Sequence, residues 1–337
     1  MPENSNKPAV FHEIAVTKDD ILNCSYENWY SLFGAHAYSR AIMLPVPDEF
    51  IDYLESDDFT IPGEKSKPNA QNDSDWDYTP PSRPDPACRF LEFHRRIQET
   101  FKSFKHIAPK LNWSAPQDSV WMLPGRTMKC SSSSDIYLLL KSSDYINHDL
   151  SHAFDEADSV PDKIQYYLIL REWKEINPSL EFRCFVRDRQ LLGISQRDLN
   201  YYPFLDDLHD TIIERISAFF DDVLLPKFGS NSFAFDVYLP KPFTKVYLVD
   251  INPFARKTDS LLFTWNELAT MAPHDDEVAV RLVTQHNSGR FATKAHSHNH
   301  VPRDVLDASM DSSKMVEMLQ NWSAMLSKEN EDTEESE

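Results

Sequence analysis

Residues 249–254 (VDINPF) place a carboxylate and an amide where a strand of apolar residues ends. Asp250 and Asn252 are two positions apart, so in an extended strand they point to the same face. Both side chains carry oxygen atoms that a hard cation such as Mg²⁺ accepts as ligands. A plain strand end is the alternative interpretation, because Asn-Pro is also a common turn dipeptide.

A second carboxylate lies in the strand that precedes this one. The runs FAFDVYL and KVYLVDIN flank the turn PKPFT and predict a hairpin with its loop at 240–244. Regular antiparallel pairing places Asp236 opposite Leu248 and diagonally next to Asp250, on the face that also carries Asn252. Two carboxylates and an amide this close favour a Mg²⁺ site, completed by water and phosphate oxygens at about 2.1 Å. Without a cation the two carboxylates would repel each other and resist ionisation.

Another hairpin, in which LEFRCFV and LLGISQRD flank RDRQ, carries charged residues that suit phosphate binding. Glu181 and Arg183 are two apart and share a face, and Arg183 suits a phosphate clamp. With a two-residue turn at 188–189, Gln196 lies opposite Glu181, whereas Arg197 falls on the other face unless a bulge intervenes. Both Gln196 and Arg197 therefore stay candidates. A surface ion pair is the alternative for this hairpin.

Two lysines and a tryptophan complete the residues whose chemistry suits a nucleotide. Lys110 in PKLNWS and Lys129 in TMKC lie in strand-like surroundings, where an ammonium suits phosphate oxygens but is also often simply solvated. The run LILREW leads an apolar strand into Arg171, Glu172 and Trp173. A strand end beside an indole offers backbone groups and apolar contact to an adenine, although a core tryptophan is the alternative.

The elements that must position these residues follow from periodicity, caps and breakers. We predict helices over 20–55, 88–104, 131–146, 211–224 and 312–322, and strands over 164–173, in both hairpins, over 277–283 and on either side of the SAPQD turn. Serines supply the cap of the helix over 131–146, and Asp135 lies in its first turn.

The chain organisation predicted from these elements has five parts. They are N-terminal helical elements in 1–55, a disordered polar, proline-rich loop in 56–86, a first subdomain in 87–173, a second in 174–325 that ends with a helix, and a disordered acidic tail in 326–337.

Composition indicates a folded globular protein and disfavours several classes of function. The chain has 337 residues, 41% of them apolar, which is ample for a sizeable core. A formal net charge of −20 disfavours general binding of nucleic acid or of anionic membranes. No apolar run reaches the roughly 20 residues of a membrane span, and the polar N-terminus does not resemble a signal peptide. Four cysteines without a CxxC pair predict reduced, buried thiols in the cytosol or nucleus rather than a zinc site or disulfides.

The order of these pieces resembles the ATP-grasp fold: a lysine strand, a second lysine strand, a helix, a hinge strand, the Glu/Arg hairpin, a helix and the Asp-x-Asn-Pro hairpin. The motifs LNWSAPQD, DIYLLLKSSDYI, EFRCFV, GISQRD, YYPF and VDINPFARKTDSLLFTW are similar to the cell division cycle protein 123 family over roughly residues 20–320. This resemblance implies an α+β, ATP-grasp-like fold in which two subdomains with antiparallel sheets clamp ATP and Mg²⁺.

The resemblance also implies roles for particular residues. It implies nucleotide contacts from Lys110, Asn112, Trp113, Ala115 and Lys129, an adenine hinge at Glu172, Trp173 and Lys174, ribose and phosphate contacts from Glu181, Arg183, Gln196 or Arg197, and Mg²⁺ ligands Asp236, Asp250 and Asn252. The chain departs from ordinary ATP-grasp enzymes because its candidate phosphate loops, SAPQD and LPGRT, hold a single glycine. That departure puts fast phosphoryl transfer in doubt, and no catalytic residue is assigned.

The family is eukaryotic, and the resemblance implies an assembly chaperone. On this interpretation a cytoplasmic monomer binds ATP and the gamma subunit of translation initiation factor 2. It promotes formation of the heterotrimer, and so supports translation initiation and cell-cycle progression, without direct contact to nucleic acid or membrane. The alternative is an ATP-grasp ligase that activates a carboxylate as an acyl phosphate for attack by an amine. A third interpretation keeps ATP as a structural cofactor only, so enzymatic turnover stays open.

Overall fold

The computed structural model describes residues 14–62, 85–271 and 278–286. The helices are α1 (Lys18–Asn23), α2 (Tyr26–Phe33), α3 (Asp48–Glu55), α4 (Leu91–Ser103), α5 (Ser133–Lys141), α6 (Asp144–Ser151), α7 (His209–Phe219) and α8 (Trp265–Thr270). The strands are β1 (Ala41–Pro45), β2 (Ile107–Lys110), β3 (Tyr167–Glu172), β4 (Glu181–Arg187), β5 (Gln190–Gln196), β6 (Phe233–Tyr238), β7 (Tyr247–Pro253) and β8 (Ala279–Arg281). These elements confirm the α+β class.

Parts of the sequence prediction lie outside the described residues. They are most of the loop 56–86, the helix 312–322 and the acidic tail 326–337. None of the helices in the described ranges is both long enough and apolar enough to cross a bilayer.

The smaller sheet has the strand order β1-β3-β2, with antiparallel pairing throughout. Its core includes Phe50 of α3, Ile97 of α4 and Leu168 of β3, all buried. Helix α5 begins as the sequence predicts, because Ser132 accepts a hydrogen bond from the backbone of Asp135 and the Asp135 carboxylate returns one to the cap. Helix α5, in the same half as the small sheet, therefore begins with a cap that its own sequence supplies.

Three elements of this half differ from the sequence prediction. The helix predicted over 131–146 is divided at 142–143 into α5 and α6, because the Ser143 side chain caps a new helix there. Strand β1 lies in a segment that the sequence predicts to be helical. A run of 5 mostly apolar residues fits a helix or a strand, and pairing with β3 makes this run a strand. Gln117–Met122 forms a 3₁₀ helix where a strand is predicted after SAPQD. Asp118 explains the difference: its carboxylate accepts hydrogen bonds from Ser143 Oγ at 2.5 Å and Asp144 N at 2.7 Å, and so caps α6.

The larger sheet has the order β7-β6-β4-β5-β8, and only β5 and β8 pair in parallel. Both predicted hairpins are confirmed, and β8 confirms a strand within 277–283. The first hairpin turns at Asp188 and Arg189, whose φ angles of 52° and 63° are the left-handed values that two-residue hairpin turns require. Helices α2 and α7 share a core with one face of this sheet, on which Phe182 and Phe235 lie. Strand alternation leaves the opposite face for the charged residues of the site.

The free cysteines confirm the prediction at three positions. Cys24, Cys130 and Cys184 are buried, and burial raises the pKa of each thiol. The prediction is wrong for Cys88, which is exposed in the short 3₁₀ helix Pro86–Phe90 ahead of α4.

Candidate functional site

A bulge in β6 and β7 aligns the two candidate metal-binding carboxylates. The pairing shifts between Asp236 and Val237, so Asp236 lies directly opposite Asp250. The predicted partner, Leu248, pairs with Val237 instead, so the predicted register is wrong. The shared face is nevertheless kept, because the extra residue of the bulge restores the alternation.

A bulge in β4 and β5 places Arg197, rather than Gln196, next to Glu181. The pairing shifts between Phe185 and Val186, so Gln196 pairs with Phe182 rather than with the predicted Glu181. Gln196 is then buried and used within the protein, since its amide donates to the carbonyls of residues 198 and 200 and accepts from the backbone of residue 283. Arg197 takes the place next to Glu181, with its Nε 3.4 Å from Glu181 Oε1.

Asp236 is held as a buried carboxylate by two arginines. Arg183 donates from Nε to Oδ1 at 2.7 Å and from its terminal nitrogen to Oδ2 at 2.8 Å, and Arg197 Nε lies 3.4 Å from Oδ2. Burial raises the pKa of Asp236, but the two arginines outweigh it and hold the pKa below its usual value. The face predicted to bind phosphate therefore carries an ionised acid with its own counter-ions. Arg183 supports Asp236 in this arrangement, rather than projecting freely.

At Glu181, unlike Asp236, burial outweighs the neighbouring arginines in its effect on the pKa. Burial raises the pKa of this carboxyl, and the nearby Arg197 only partly offsets the rise. Arg197 and Glu181 line the same cleft between the two sheets, so a polar ligand there would meet both.

Lys110 links the small sheet to the acids of the large one. It ends β2, its side chain is 2% exposed, and its Nζ donates to Asp250 Oδ2 at 2.8 Å and to the carbonyl of Trp113. Lys110 and Asp250 are 140 residues apart in the chain, so this contact exists only because the two sheets meet.

Four of the buried polar atoms without a hydrogen-bond partner among the described residues lie on β7 or at the end of β3. They are Arg171 Nε, Trp173 Nε1, Asp250 Oδ1 and Asn252 Nδ2. Buried polar groups are normally satisfied, and Asp250 and Asn252 share one face of β7, so this pair offers a place for a polar ligand. Arg171 is the residue whose importance the sequence analysis missed. Its signal was its position directly before Glu172 and Trp173.

A cleft of about 180 Å³ lies between the sheets. Ala108, Met128 and Leu248 supply apolar wall, and residues 172–174 form one side of it. This volume is below the roughly 300 Å³ at which ligand pockets commonly begin. Side chains or sheets must therefore move apart before a whole nucleotide can enter.

The predicted hinge residues are held from the N-terminal side. Glu172 accepts two hydrogen bonds of 3.0 Å from Arg40, and Lys174 Nζ donates to the Tyr38 carbonyl at 3.1 Å. The side chains of Glu172 and Lys174 are thus committed to the protein, while the buried Trp173 Nε1 has no partner in the described chain.

The structure places the remaining predicted nucleotide contacts in supporting positions. The side-chain amide of Asn112 donates to Glu27 and to a backbone carbonyl, and accepts from the backbone of Tyr167, so it is fully used. Trp113 Nε1 donates to the carbonyl of residue 21 at 2.8 Å, and the Ala115 carbonyl closes a turn. Lys129 is exposed, and it is the neighbouring residue 128 that lines the cleft.

The oxygen donors on one face of β7 suit Mg²⁺. Asp250 Oδ1 is unpartnered in the described structure, and Asn252 offers an amide oxygen once its side chain is turned over, an assignment that hydrogen bonding alone decides. The described residues hold no cluster of three or more His, Cys, Asp or Glu side chains able to bind a metal. Asp236, Asp250 and Asn252 include only two such residues, so a metal here would depend on phosphate and water oxygens as well.

The chain is similar to proteins of one family. A family model described as D123 matches residues 29–309. The chain is 42% identical over 355 residues to cell division cycle protein 123 of Candida glabrata, covering 99% of each chain. It is 42% identical over 353 residues to the translation initiation factor eIF2 assembly protein of Vanderwaltozyma polyspora, covering 96% of each. The solved structure of Cdc123 from Schizosaccharomyces pombe matches with a TM-score of 0.68 and 34% identity, over 81% of this chain and 100% of that one.

Proposed function

The chain belongs to the D123 family, as its motifs predicted, and we propose that it is an ATP- and Mg²⁺-dependent assembly factor for translation initiation factor 2. The name of the relative from Vanderwaltozyma polyspora, an eIF2 assembly protein, supports the assembly role. The partner we propose is the gamma subunit, and the place of action is the cytoplasm, where the initiation factor works.

Buried polar atoms on β7 and at the end of β3 that lack a partner among the described residues support the nucleotide part of the proposal. A carboxylate oxygen at Asp250, an amide at Asn252 and an indole N–H at Trp173 are all buried without partners in the described chain. One ligand with a metal, a phosphate chain and a base would satisfy donors and acceptors together.

The roles follow from where the residues lie. Asp250 and Asn252 would hold Mg²⁺, which neutralises phosphate charge when bound. Both Asp236 oxygens accept hydrogen bonds from Arg183, so Asp236 would lie beside the metal rather than bind it. Lys110 and Arg197 would meet phosphate oxygens as cations, and Arg183 would hold Asp236 in its ionised form. The backbone and indole of 173–174 would meet the base, and Glu181 the ribose.

Assembly can be tested with the purified subunits of the initiation factor. Mixing the gamma subunit with the chain should give a complex in gel filtration, and adding the chain to all three subunits with ATP and Mg²⁺ should raise the heterotrimer yield. The nucleotide-site variant is Asp250→Asn, and the matched control is Asp210→Asn, whose side chain is fully exposed on α7. No complex with the gamma subunit, with or without ATP, would overturn the proposal.

The same mixtures separate an assembly factor from a ligase. A ligase would transfer the terminal phosphoryl group of ATP to a substrate carboxylate, releasing ADP, and an amine would then displace phosphate to form an amide. Mass spectrometry of the gamma subunit after incubation with ATP should show no added group. If ADP appears together with a modified product, the ligase interpretation replaces ours.

A further inference from the structure

The ion pair between Lys110 and Asp250 occupies the place where the proposed metal site and phosphate site meet. Its Nζ–Oδ2 distance is 2.8 Å, and the two side chains are 2% and 17% exposed. The other carboxylate oxygen of Asp250 is buried without a partner in the described chain. One oxygen of the Asp250 carboxylate thus contacts the Lys110 ammonium, and the other faces the proposed metal position.

The acids of the site differ in how they are neutralised. Asp236 contacts two arginines, and Arg197 is shared between Asp236 and Glu181. Asp250 has one cation in direct contact among the described residues, and that cation is Lys110. Asp250 is therefore paired with a lysine from the opposite sheet.

A divalent cation on the free oxygen of Asp250 would lie only a few ångströms from the Lys110 ammonium. The two oxygens of one carboxylate are close together, so two cations bound to them repel each other, and burial leaves little water to screen that repulsion. Phosphate oxygens would remove the conflict, because an ammonium on a flexible stem can turn to them and leave the carboxylate to the metal.

We propose that Lys110 makes this site specific for a metal–nucleotide complex, by holding Asp250 and excluding a free divalent cation until phosphate oxygens take over its ammonium. The inference rests on the proposed nucleotide function and adds an order to it.

The inference is tested by measuring Mn²⁺ binding. Bound Mn²⁺ is detected as a loss of the electron paramagnetic resonance signal of free Mn²⁺. The wild-type chain should bind Mn²⁺ weakly when it is the sole addition, and should bind one Mn²⁺ tightly with a non-hydrolysable ATP analogue. Lys110→Met should bind Mn²⁺ without nucleotide about tenfold more tightly than wild type, and the Mn²⁺–nucleotide complex about tenfold less tightly. Lys102→Met, which removes an exposed lysine of α4, is the matched control and should behave as wild type.

Opposite signs for metal and for metal–nucleotide are the signature of this role, since a merely structural lysine would weaken both. Equal Mn²⁺ affinity in Lys110→Met and wild type would overturn the inference while leaving nucleotide binding intact. If Lys110→Met does not fold, the wild-type measurement still decides, because tight Mn²⁺ binding without nucleotide would contradict the exclusion. A wild-type chain that binds no Mn²⁺–nucleotide complex would overturn the proposed function itself.

Discussion

At the scale of single residues, burial determines how much each ion pair of the site matters. Arg183 and Asp236 pair through two hydrogen bonds with side chains 9% and 3% exposed. Arg40 and Glu172 pair through two hydrogen bonds of similar length, but the Arg40 side chain is 68% exposed. Removing one partner of a buried pair leaves a charge without solvent, whereas an exposed charge returns to water.

Arg183→Met should therefore lower the free energy of unfolding by about 3 kcal/mol or more, because it leaves Asp236 buried with Arg197 alone. Arg40→Met, the matched control, should cost far less, because the Glu172 carboxylate it leaves behind is exposed enough to return to water. Urea denaturation of both variants measures the difference. Similar losses in the two would contradict the view that Arg183 exists to keep Asp236 ionised.

Residue identities could be predicted from the sequence better than their contacts. The spacing of Asp250 and Asn252, and the choice of Asp236, follow from alternation alone. The position of Arg197 beside Glu181, where Gln196 is predicted, does not follow from alternation. It depends on a one-residue bulge, which turns the strand face over and leaves no reliable mark in a single sequence.

At the scale of elements, side chains tie the edge of the large sheet to the helix beside it. Arg281 of β8 donates to both carboxylate oxygens of Glu267 on α8, at 2.8 and 3.1 Å. Glu267 also completes the capping box of α8 with Thr264. The hydrogen bonds from Arg281 lower the pKa of Glu267 to about 2, from an ordinary value of 4.5.

This pKa predicts the pH range in which the contact stabilises the fold. A carboxyl whose folded pKa is depressed contributes its full stability above the unfolded value of 4.5 and loses it as pH falls toward about 2. Glu267→Gln should reduce the unfolding free energy by about 1 kcal/mol near pH 7, since solvent screens a pair that is 41% and 37% exposed.

The difference between Glu267→Gln and wild type should shrink as the pH is lowered from 4.5 to 3, measured by urea unfolding in a series of buffers. Glu92→Gln is the control. It removes an exposed partner of Arg95 on α4, and because solvent screens that pair, its difference from wild type should be much smaller at every pH. A difference that stays constant down to pH 3 would contradict a depressed pKa of Glu267.

Elements with a local signal were predictable, and elements decided by partners were not. Helix α5 carries its own cap, and both hairpins carry turn residues between alternating strands. Strand β1 and the 3₁₀ helix Gln117–Met122 depend on β3 and on the cap of α6, which lie far along the chain. Local sequence holds no record of those partners.

At the scale of the whole molecule, four cations lie where the two sheets meet, inside an acidic protein. The chain carries a formal net charge of −20, yet Lys110, Arg171, Arg183 and Arg197 lie there. Three of them pair with the carboxylates of Glu181, Asp236 and Asp250, so an anionic ligand would have to take over cations from these acids. This contrast could be predicted only in part, because the sequence predicts the charges but not the contact that brings Lys110 to Asp250.

A crystal structure of the chain with Mn²⁺ and a non-hydrolysable ATP analogue would show whether a metal–nucleotide complex binds between the sheets, because anomalous scattering locates the metal independently of the surrounding density. We predict one anomalous peak in contact with Asp250 and Asn252, phosphates against Lys110 and Arg197, and the base beside Trp173. Well-diffracting crystals with no nucleotide between the sheets, or with Mn²⁺ bound elsewhere, would contradict this prediction.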